Sequence, residues 1–215
     1  MAIVGIHKED AAMFTGIVED LATVRAIEKR GDHARLTITS PVVVTDATQI
    51  GESIAVNGVC LTVTAVDGDT FSADAMHETL NRSSLGTLRP GSHVDVERAM
   101  QADGRFSGHI VAGHIDGTGV VESVEPDGIA KLVTIRAPHE LMKFIAEKGS
   151  IAIDGISLTV TTAGDPKAGD DTFGVAIIPH TAENTVLGER QPGDVVNLEV
   201  DMLARYVERM LATRE

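Results

Sequence analysis

At two places in this sequence a nucleophilic side chain is followed, two residues later, by a threonine hydroxyl. Cys60 and Thr62 are two residues apart, and Ser157 and Thr159 repeat that spacing. Residues i and i+2 of a strand point to the same face, so each pair could line a ligand site and supply a thiol or hydroxyl for nucleophilic chemistry. The alternative is a strand that only closes the fold, with Cys60 as a small apolar side chain.

Two histidines, His109 and His114, lie close together in the chain. A spacing of five does not place them on one strand face, and no carboxylate–histidine cluster with zinc-like spacing surrounds them, so we expect no metal site. The alternative to a functional role is a hydrogen-bonded loop histidine. Asp74 and Asp201 end strand-like runs, where exposed acids are usually only solvated. The sequence contains no glycine-rich phosphate loop, nucleophile elbow or HExxH pattern.

The two pairs belong to an internal repeat. Residues 53–64 and 150–161 are identical at eight of twelve positions, an offset of 97, and the other four positions are close in shape. The same offset aligns Ile17 with His114, so the two copies differ at one candidate residue. Downstream the offset grows to 102, because the second copy has a longer hairpin near residues 164–171. A period this long indicates duplicated domains rather than a solenoid.

Each half has the pattern of an all-β domain. Residues 35–39 and 131–136 are strand-like, and the first of them alternates polar and apolar side chains. Asn-Gly and Asp-Gly dipeptides between apolar runs predict tight hairpins. About six short strands per half predict two tandem homologous six-stranded Greek-key β-barrels. A short helix is expected over 138–145, and a C-terminal helix over 201–215 either caps its own barrel or pairs with copies of itself.

Composition excludes several classes of function. The 215 residues carry a formal net charge of −14, so nucleic acid is not expected as a partner. No apolar run approaches the length of a membrane span, and the first residues lack the apolar core of a signal peptide. The single cysteine excludes an internal disulfide, and a reducing cytoplasm is the simplest location.

Several motifs, in order and at matching separations, resemble the alpha-chain type of the riboflavin synthase family. They are the segments at 13–19, 57–63, 78–80, 94–99, 108–114 and 154–160. The resemblance runs from Met13 to the C-terminus, and it departs from the family pattern at Ala112 and His180. Family members usually begin at the Met-Phe-Thr-Gly motif, so residues 1–12 are expected to be either an extension or a misplaced start, and to be mobile.

The resemblance implies a reaction and an assembly. Two molecules of 6,7-dimethyl-8-ribityllumazine exchange a four-carbon unit and yield riboflavin and 5-amino-6-(ribitylamino)uracil, without a metal or redox cofactor. Residues 13–99 and 100–200 would form the two lumazine-binding barrels, and residues 201–215 a helix that holds a homotrimer, with Leu203, Val207 and Met210 at its seam. The site would lie between barrels of neighbouring subunits. Association with lumazine synthase is a further expectation.

Position in the family motifs implies the site residues. The N-terminal pocket would contain Gly16, Ile17, Val18, Ser53, Cys60, Leu61, Thr62, Asp74, Ala75, Met76, His77, Glu78 and Thr79. The C-terminal pocket would contain Gly113, His114, Ile115, Asp154, Ser157, Leu158, Thr159, Ile177, Ile178, Pro179, His180, Thr181 and Ala182. Phe14 would cover the site, Lys148 would reach it from a neighbouring subunit, and Asp201 completes the set. His114, Ser157 and Cys60 are the candidates for catalysis.

Two other interpretations remain open. A non-catalytic lumazine- or flavin-binding antenna protein of the same superfamily would be a monomer with one working site. Here both copies keep the turn motif, and Cys60, His114 and Ser157 are all present, which favours the enzyme. An unrelated β-barrel scaffold would leave the polar identities of the repeat unexplained.

Overall fold

The structure is a computed structural model that describes residues 12–213. Residues 1–11 and 214–215 lie outside the described residues, and with them all but the last residue of the expected N-terminal extension. The described chain folds into two closed six-stranded barrels, which confirms the all-β tandem fold. The N-barrel contains β1 Asp20–Arg30, β2 His33–Thr39, β3 Ser53–Val56, β4 Val59–Asp67, β5 Thr70–Met76 and β6 His93–Arg98. The C-barrel contains β7 Gly117–Asp127, β8 Ala130–Arg136, β9 Ser150–Ile153, β10 Ile156–Ala163, β11 Thr172–Ile177 and β12 Val195–Val200.

The two barrels have the same topology. Around the N-barrel the strand order is β1-β2-β5-β4-β3-β6, and equivalent strands of the C-barrel follow the same circular order. Apolar residues that alternate along the strands fill each interior; Leu36 and Ile38 are fully buried in the N-barrel, as are Val133 and Ile135 in the C-barrel. Each barrel has its own buried core, so the duplication seen in the sequence is a duplication of whole barrels.

Four α-helices connect or follow the strands. They are α1 His77–Arg82, α2 His139–Met142, α3 Pro179–Asn184 and α4 Met202–Ala212. The helix expected over 138–145 is confirmed only as the single turn of α2, because the chain turns again before β9. The predicted C-terminal helix is confirmed as α4, and the Asp201 carboxylate caps it by accepting a hydrogen bond from the amide of Leu203 at 2.9 Å.

The apolar side of α4 does not pack on its own barrel. Its large apolar side chains, between 56% and 65% exposed, are Leu203, Tyr206, Val207, Met210 and Leu211. No residue of α4 is buried. This orientation is the reverse of an ordinary surface helix, which turns its apolar stripe to the core. No helix among residues 12–213 combines the length and apolar character needed to cross a bilayer.

The barrels touch at their two equivalent hairpin turns. Gly58 and Gly155 pack backbone against backbone, and a Cβ built on either one would lie 2.7 Å from the amide nitrogen of the other. Phe14 is fully buried beside this contact, where it forms a bridge with Val111. Phe14 therefore belongs to the apolar core between the barrels in this chain.

A buried polar network surrounds the same contact. The Asn197 side chain accepts a hydrogen bond from the Ser84 amide at 2.6 Å and donates one to the Asn57 carbonyl at 2.8 Å. Asp95 is the equivalent residue of the N-barrel, and its Oδ1 accepts a hydrogen bond from the Val186 amide at 2.9 Å. The two barrels are thus joined by side-chain to backbone bonds in both directions.

The Asp95 carboxyl can both accept and donate a hydrogen bond, as the Asn197 amide does, only when it is protonated. Its Oδ2 is buried without a hydrogen-bond partner among the described residues, at the position where Asn197 carries its NH₂ group. Burial raises the pKa of the Asp95 carboxyl well above its ordinary value, and nearby Asp154 raises it further. A protonated Oδ2 can donate, as the Asn197 amide does, so the neutral form fits this site.

Alanine at Gly58 should separate the barrels. The residue has φ +77°, and the added Cβ would meet the backbone of Gly155, which cannot move aside. Gly31 is the matched control, because its φ is +63° and nothing lies within 4 Å of its Cβ position. Gly31→Ala should cost about 1–2 kcal/mol for the left-handed backbone, and Gly58→Ala about 1–3 kcal/mol more for the clash. Urea unfolding measures both; equal losses would contradict the close contact.

Asn at position 95 should remove a pH dependence of stability. Because the folded-state pKa of Asp95 is raised, its contribution to stability is fully present at low pH and is lost as pH rises through that pKa. Asp95→Asn keeps a neutral donor at every pH. The free energy of unfolding of the variant, relative to the unchanged protein, should therefore rise as pH increases from about 4, the ordinary carboxyl pKa, through the raised pKa of Asp95. The exposed Asp127→Asn variant should show no such trend, and equal trends in both variants would refute the assignment.

Candidate functional site

The glycine loop that precedes each barrel lies against the opposite barrel. The Gly16 carbonyl accepts a hydrogen bond from the Ser157 amide at 2.8 Å, and the Gly113 carbonyl accepts one from the Cys60 amide at 2.9 Å. A Cβ on Gly16 would lie 2.6 Å from the Cβ of Ser157, and one on Gly113 would lie 2.5 Å from that of Cys60. Only glycine permits this approach, and both glycines have positive φ.

This crossing regroups the residues that the sequence assigns to pockets. The Cys60 pocket, as we name it, combines Cys60–Thr62 and Asp74–Thr79 with the Gly113–Ile115 loop. The Ser157 pocket combines Ser157–Thr159 and Ile177–Ala182 with the Gly16–Val18 loop. The sequence grouping assigned each glycine loop to its own copy, whereas Val18 packs against the core of the C-barrel and Ile115 against the core of the N-barrel.

Two buried glutamates hold the glycine loops. Glu97 accepts hydrogen bonds from the amides of Thr15 and Gly16 at 2.7 and 3.0 Å, and from the Thr15 hydroxyl. Glu199 accepts hydrogen bonds from the amides of Ala112, Gly113 and His114 at 2.7, 2.9 and 3.0 Å. Burial raises the pKa of both carboxyls, while the bonds from these amides oppose that shift. Sequence analysis missed both residues, although the 102-residue offset aligns them.

Each pocket opens where two neighbouring strands separate. The pairing of β4 with β5 ends at Val63 and Ala73, so Thr62 has no ladder partner on β5. Backbone groups alternate between the two sides of a strand, and the Cys60 amide points away from β3 to Gly113. The Thr62 backbone therefore faces the gap. In the C-barrel the ladder likewise ends at Val160 and Val175.

Such a gap suits a planar polar heterocycle. Its walls offer backbone donors and acceptors along one edge, together with the threonine hydroxyls, and glycine loops let a ring approach the main chain closely. A cavity of about 280 Å³ brings together the predicted residues Ile177, Pro179 and Ala182 with Ile129, Lys131 and Glu183, but its lining does not include Ser157 or Thr159. Its volume is at the lower limit of small-molecule sites.

The two candidate nucleophiles have different surroundings. Ser157 Oγ lies 2.7 Å from His109 Nδ1, and His109 is only 8% exposed. Burial lowers the pKa of His109, which favours a neutral imidazole that can accept the serine proton. Cys60 has no such partner, because Ala12 stands at the position equivalent to His109. Burial raises the pKa of the Cys60 thiol, and the Ser53 hydroxyl only partly offsets this effect.

His109 is a functional candidate that sequence analysis left out of the site. Its partner is 48 positions away in the chain, so no local spacing indicates the pair. His114, the predicted catalytic histidine, is exposed and has its amide fixed by Glu199. The structure places His114 beside the Cys60 pocket through its loop, whereas it places His109 at Ser157.

Three other predicted site residues, Asp74, Asp154 and Asp201, have partners that account for them structurally, and Lys148 lies in an exposed turn. Asp74 forms two 2.8 Å hydrogen bonds with the Arg35 guanidinium, which lowers the pKa of that carboxyl. Asp154 is fully buried in the hairpin turn and pairs with Arg190 at 2.7 Å. Asp201 caps α4, and Lys148 is exposed in a turn with φ +65°. None of these contacts requires a ligand.

The structure offers no evident metal centre in the part of the chain that it describes. Within residues 12–213, no group of three or more His, Cys, Asp or Glu side chains could hold a metal ion.

Comparison with known proteins identifies both halves of the chain. The lumazine binding domain family matches residues 15–99 and 112–201. Riboflavin synthase of Mycobacterium tuberculosis is 52% identical over 201 residues, covering 93% of this chain and 98% of the relative. Riboflavin synthase of Actinobacillus pleuropneumoniae is 49% identical over 199 residues, covering 93% and 90%. That of Bacillus subtilis is 41% identical over 199 residues, covering 93% and 90%.

Solved structures share the tandem fold. LumP complexed with riboflavin has a TM-score of 0.78 and 26% identity, and LumP complexed with 6,7-dimethyl-8-(1'-D-ribityl) lumazine has a TM-score of 0.76 and 25% identity. Each covers 87% of this chain and 98% of the LumP chain. The identity to curated riboflavin synthases is much higher than that to LumP. With two matched lumazine binding domains and these relatives along its length, the chain belongs to the riboflavin synthase family.

Proposed function

We propose that this protein is a riboflavin synthase. It converts two molecules of 6,7-dimethyl-8-ribityllumazine into riboflavin and 5-amino-6-(ribitylamino)uracil by moving a four-carbon unit from one lumazine to the other. The two products together contain all the atoms of the two substrates, so the reaction needs no external oxidant. The observation that carries the proposal is the presence of two homologous pockets with unequal nucleophiles, Cys60 in one and the Ser157–His109 pair in the other.

Unequal pockets suit a reaction between two identical substrates. One lumazine gives up the four carbons and the other receives them, so their protonation and addition steps must differ. The 7-methyl group is acidic because its anion is delocalised over the heterocycle, and modest acid–base assistance with exact placement is sufficient. Ser157, polarised by neutral His109, and His114 on the loop of the Cys60 pocket are the groups we assign to proton transfer or to activation of a nucleophile.

We also propose a homotrimer with sites shared between subunits. The support is the exposed apolar face of α4, which has no partner among the described residues of its own chain. Residues 13–99 and 100–200 would be the two substrate-binding units, and residues 201–215 the assembly helix. Lys148 would reach a neighbour's pocket. A cytoplasmic location fits the single unpaired cysteine, and association with lumazine synthase stays a prediction.

A binding protein without turnover is the second candidate, favoured by the solved LumP complexes with lumazine and riboflavin. Incubation of the purified protein with the lumazine alone separates the two. The enzyme should release one riboflavin for every two lumazines consumed. Binding of lumazine without riboflavin formation would refute the synthase and support the binding protein.

Loss of either member of the Ser157–His109 pair should slow the reaction by the same mechanism. We expect Ser157→Ala and His109→Ala each to lower kcat about a hundredfold, the usual scale for a general base, with a smaller change in lumazine Kd. Because the two side chains act together, the double variant should be no slower than the worse single variant. Steady-state kinetics and equilibrium binding measure this. Ser123→Ala on β7 is the control, and independent, multiplicative losses would contradict the pairing.

Removal of α4 should dissociate the assembly. A chain that ends at Asp201 should sediment as a monomer, because the apolar face that we assign to the seam is gone. Val207→Glu should weaken assembly in the same direction by placing a charge in that seam, whereas Arg209→Ala, on an exposed polar position of the same helix, should not. Analytical ultracentrifugation decides, and a trimer that persists without α4 would rule out its role.

A further inference from the structure

Two ion pairs attach α4 to the C-barrel, while its large apolar side chains are exposed. Arg205 reaches Asp116 beside the start of β7, and Lys143 after α2 pairs with Glu208. No residue of the helix is buried. Of the two contacts, only the one from Arg205 lies beside a pocket loop, so α4 reaches the Cys60 pocket through Arg205 and not through Glu208.

Arg205 bonds directly to the loop of the Cys60 pocket. Its Nη2 donates to Asp116 Oδ2 at 2.5 Å and to the His114 carbonyl at 3.4 Å. Asp116 Oδ2 also accepts a hydrogen bond from the Val200 amide at 2.9 Å, and Glu199 holds the His114 amide. Glu199 on β12 therefore holds the loop by its amides, and Arg205 on α4 holds it by the His114 carbonyl.

The other glycine loop receives its arginine from a different element. Glu19 is equivalent to Asp116, and Arg98 on β6 holds its carboxylate with bonds of 2.5 to 3.3 Å. The residue equivalent to Arg98 in the C-barrel is Val200, which has no charge. The first copy therefore takes this arginine from its own barrel, whereas the second copy takes it from the helix that follows the barrel.

We propose that Arg205 is a positioning residue that makes the Cys60 pocket depend on the docking of α4. When α4 is docked on its barrel, Arg205 binds Asp116 and the His114 carbonyl. These bonds hold the loop that contacts Cys60 in place. The Ser157 pocket, whose loop is supported by Arg98, does not depend on the helix. Since the opposite face of α4 is the proposed seam, assembly and the order of one pocket are linked. This inference rests on the proposed function, because it assigns lumazine to both pockets.

Arg205→Met tests the coupling, since it removes the guanidinium and keeps an apolar stem. Equilibrium dialysis with riboflavin, which as the reaction product is not consumed, should find two sites per chain in the unchanged protein. In Arg205→Met one site should weaken about tenfold or more, as expected for loss of charge-assisted hydrogen bonds, and the other should be unchanged. Lys143→Met removes the other ion pair of α4 and is the matched control, with both sites retained.

Further measurements separate positioning from general damage. Tyr206 is the only tyrosine and the chain has no tryptophan, so intrinsic fluorescence reports on α4 alone. Sedimentation should show the same assembly for both variants. Arg205→Lys, which keeps the charge but not the fork, should restore part of the affinity and replaces Arg205→Met if that variant does not fold.

Two results would overturn the coupling: equal binding in Arg205→Met and Lys143→Met, or equal weakening of both sites in Arg205→Met. Neither depends on turnover. A protein that binds lumazine but makes no riboflavin would defeat the proposed synthase and leave the binding test of Arg205 valid.

Discussion

The close contact between the two barrels is the constraint on which the rest of the structure depends. Gly58 meets Gly155 backbone to backbone, and each glycine loop then crosses to the opposite barrel, where Gly16 touches Ser157 and Gly113 touches Cys60. Each of these approaches requires the absence of a Cβ. Because the contacts are reciprocal, a displacement at the contact between Gly58 and Gly155 would disturb both pockets. The pockets are therefore properties of the pair of barrels, and neither barrel builds one alone.

Within this symmetric frame, a few substitutions make the two halves unequal. Asp95 and Asn197 occupy equivalent positions and make equivalent bonds, but one is an acid whose raised pKa favours the neutral form. Ser157 has an imidazole partner that Cys60 lacks. The arginine that supports one loop comes from a strand, and the one that supports the other comes from α4. The common fold provides two similar binding gaps, and these differences can assign them different chemical tasks.

The charged and apolar sides of α4 have different surroundings: charged side chains contact the C-barrel, and the large apolar side chains are exposed. A helix held to its barrel by ion pairs gains little from that contact in water, because exposed pairs contribute about 1 kcal/mol or less. Burial of its apolar face elsewhere would contribute much more. The homotrimer proposed above would bury this face against a partner helix.

The sequence by itself determined the barrels, their duplication and the strands that carry Cys60 and Ser157. Strand alternation and tight-turn dipeptides are local patterns that involve only neighbouring residues. The repeat is found by aligning the chain with itself. The sequence also located the C-terminal helix, but periodicity alone did not decide which way its apolar face turns. It contained the alignment of Glu97 with Glu199, although their role as anchors of the glycine loops depends on contacts that are distant in the chain.

Only the tertiary structure decided how the parts combine. The exchange of glycine loops, the burial of Phe14 between the barrels and the pairing of His109 with Ser157 have no local signature, because each joins residues far apart in sequence. Asp74 and Asp201, which the sequence offers either as solvated strand-end acids or as site residues, have specific partners in an arginine and a helix N-terminus. Chain patterns specify which surfaces are apolar and where strands turn. The packing of two closed barrels, with its close glycine contacts, determines which side chains finally face each other.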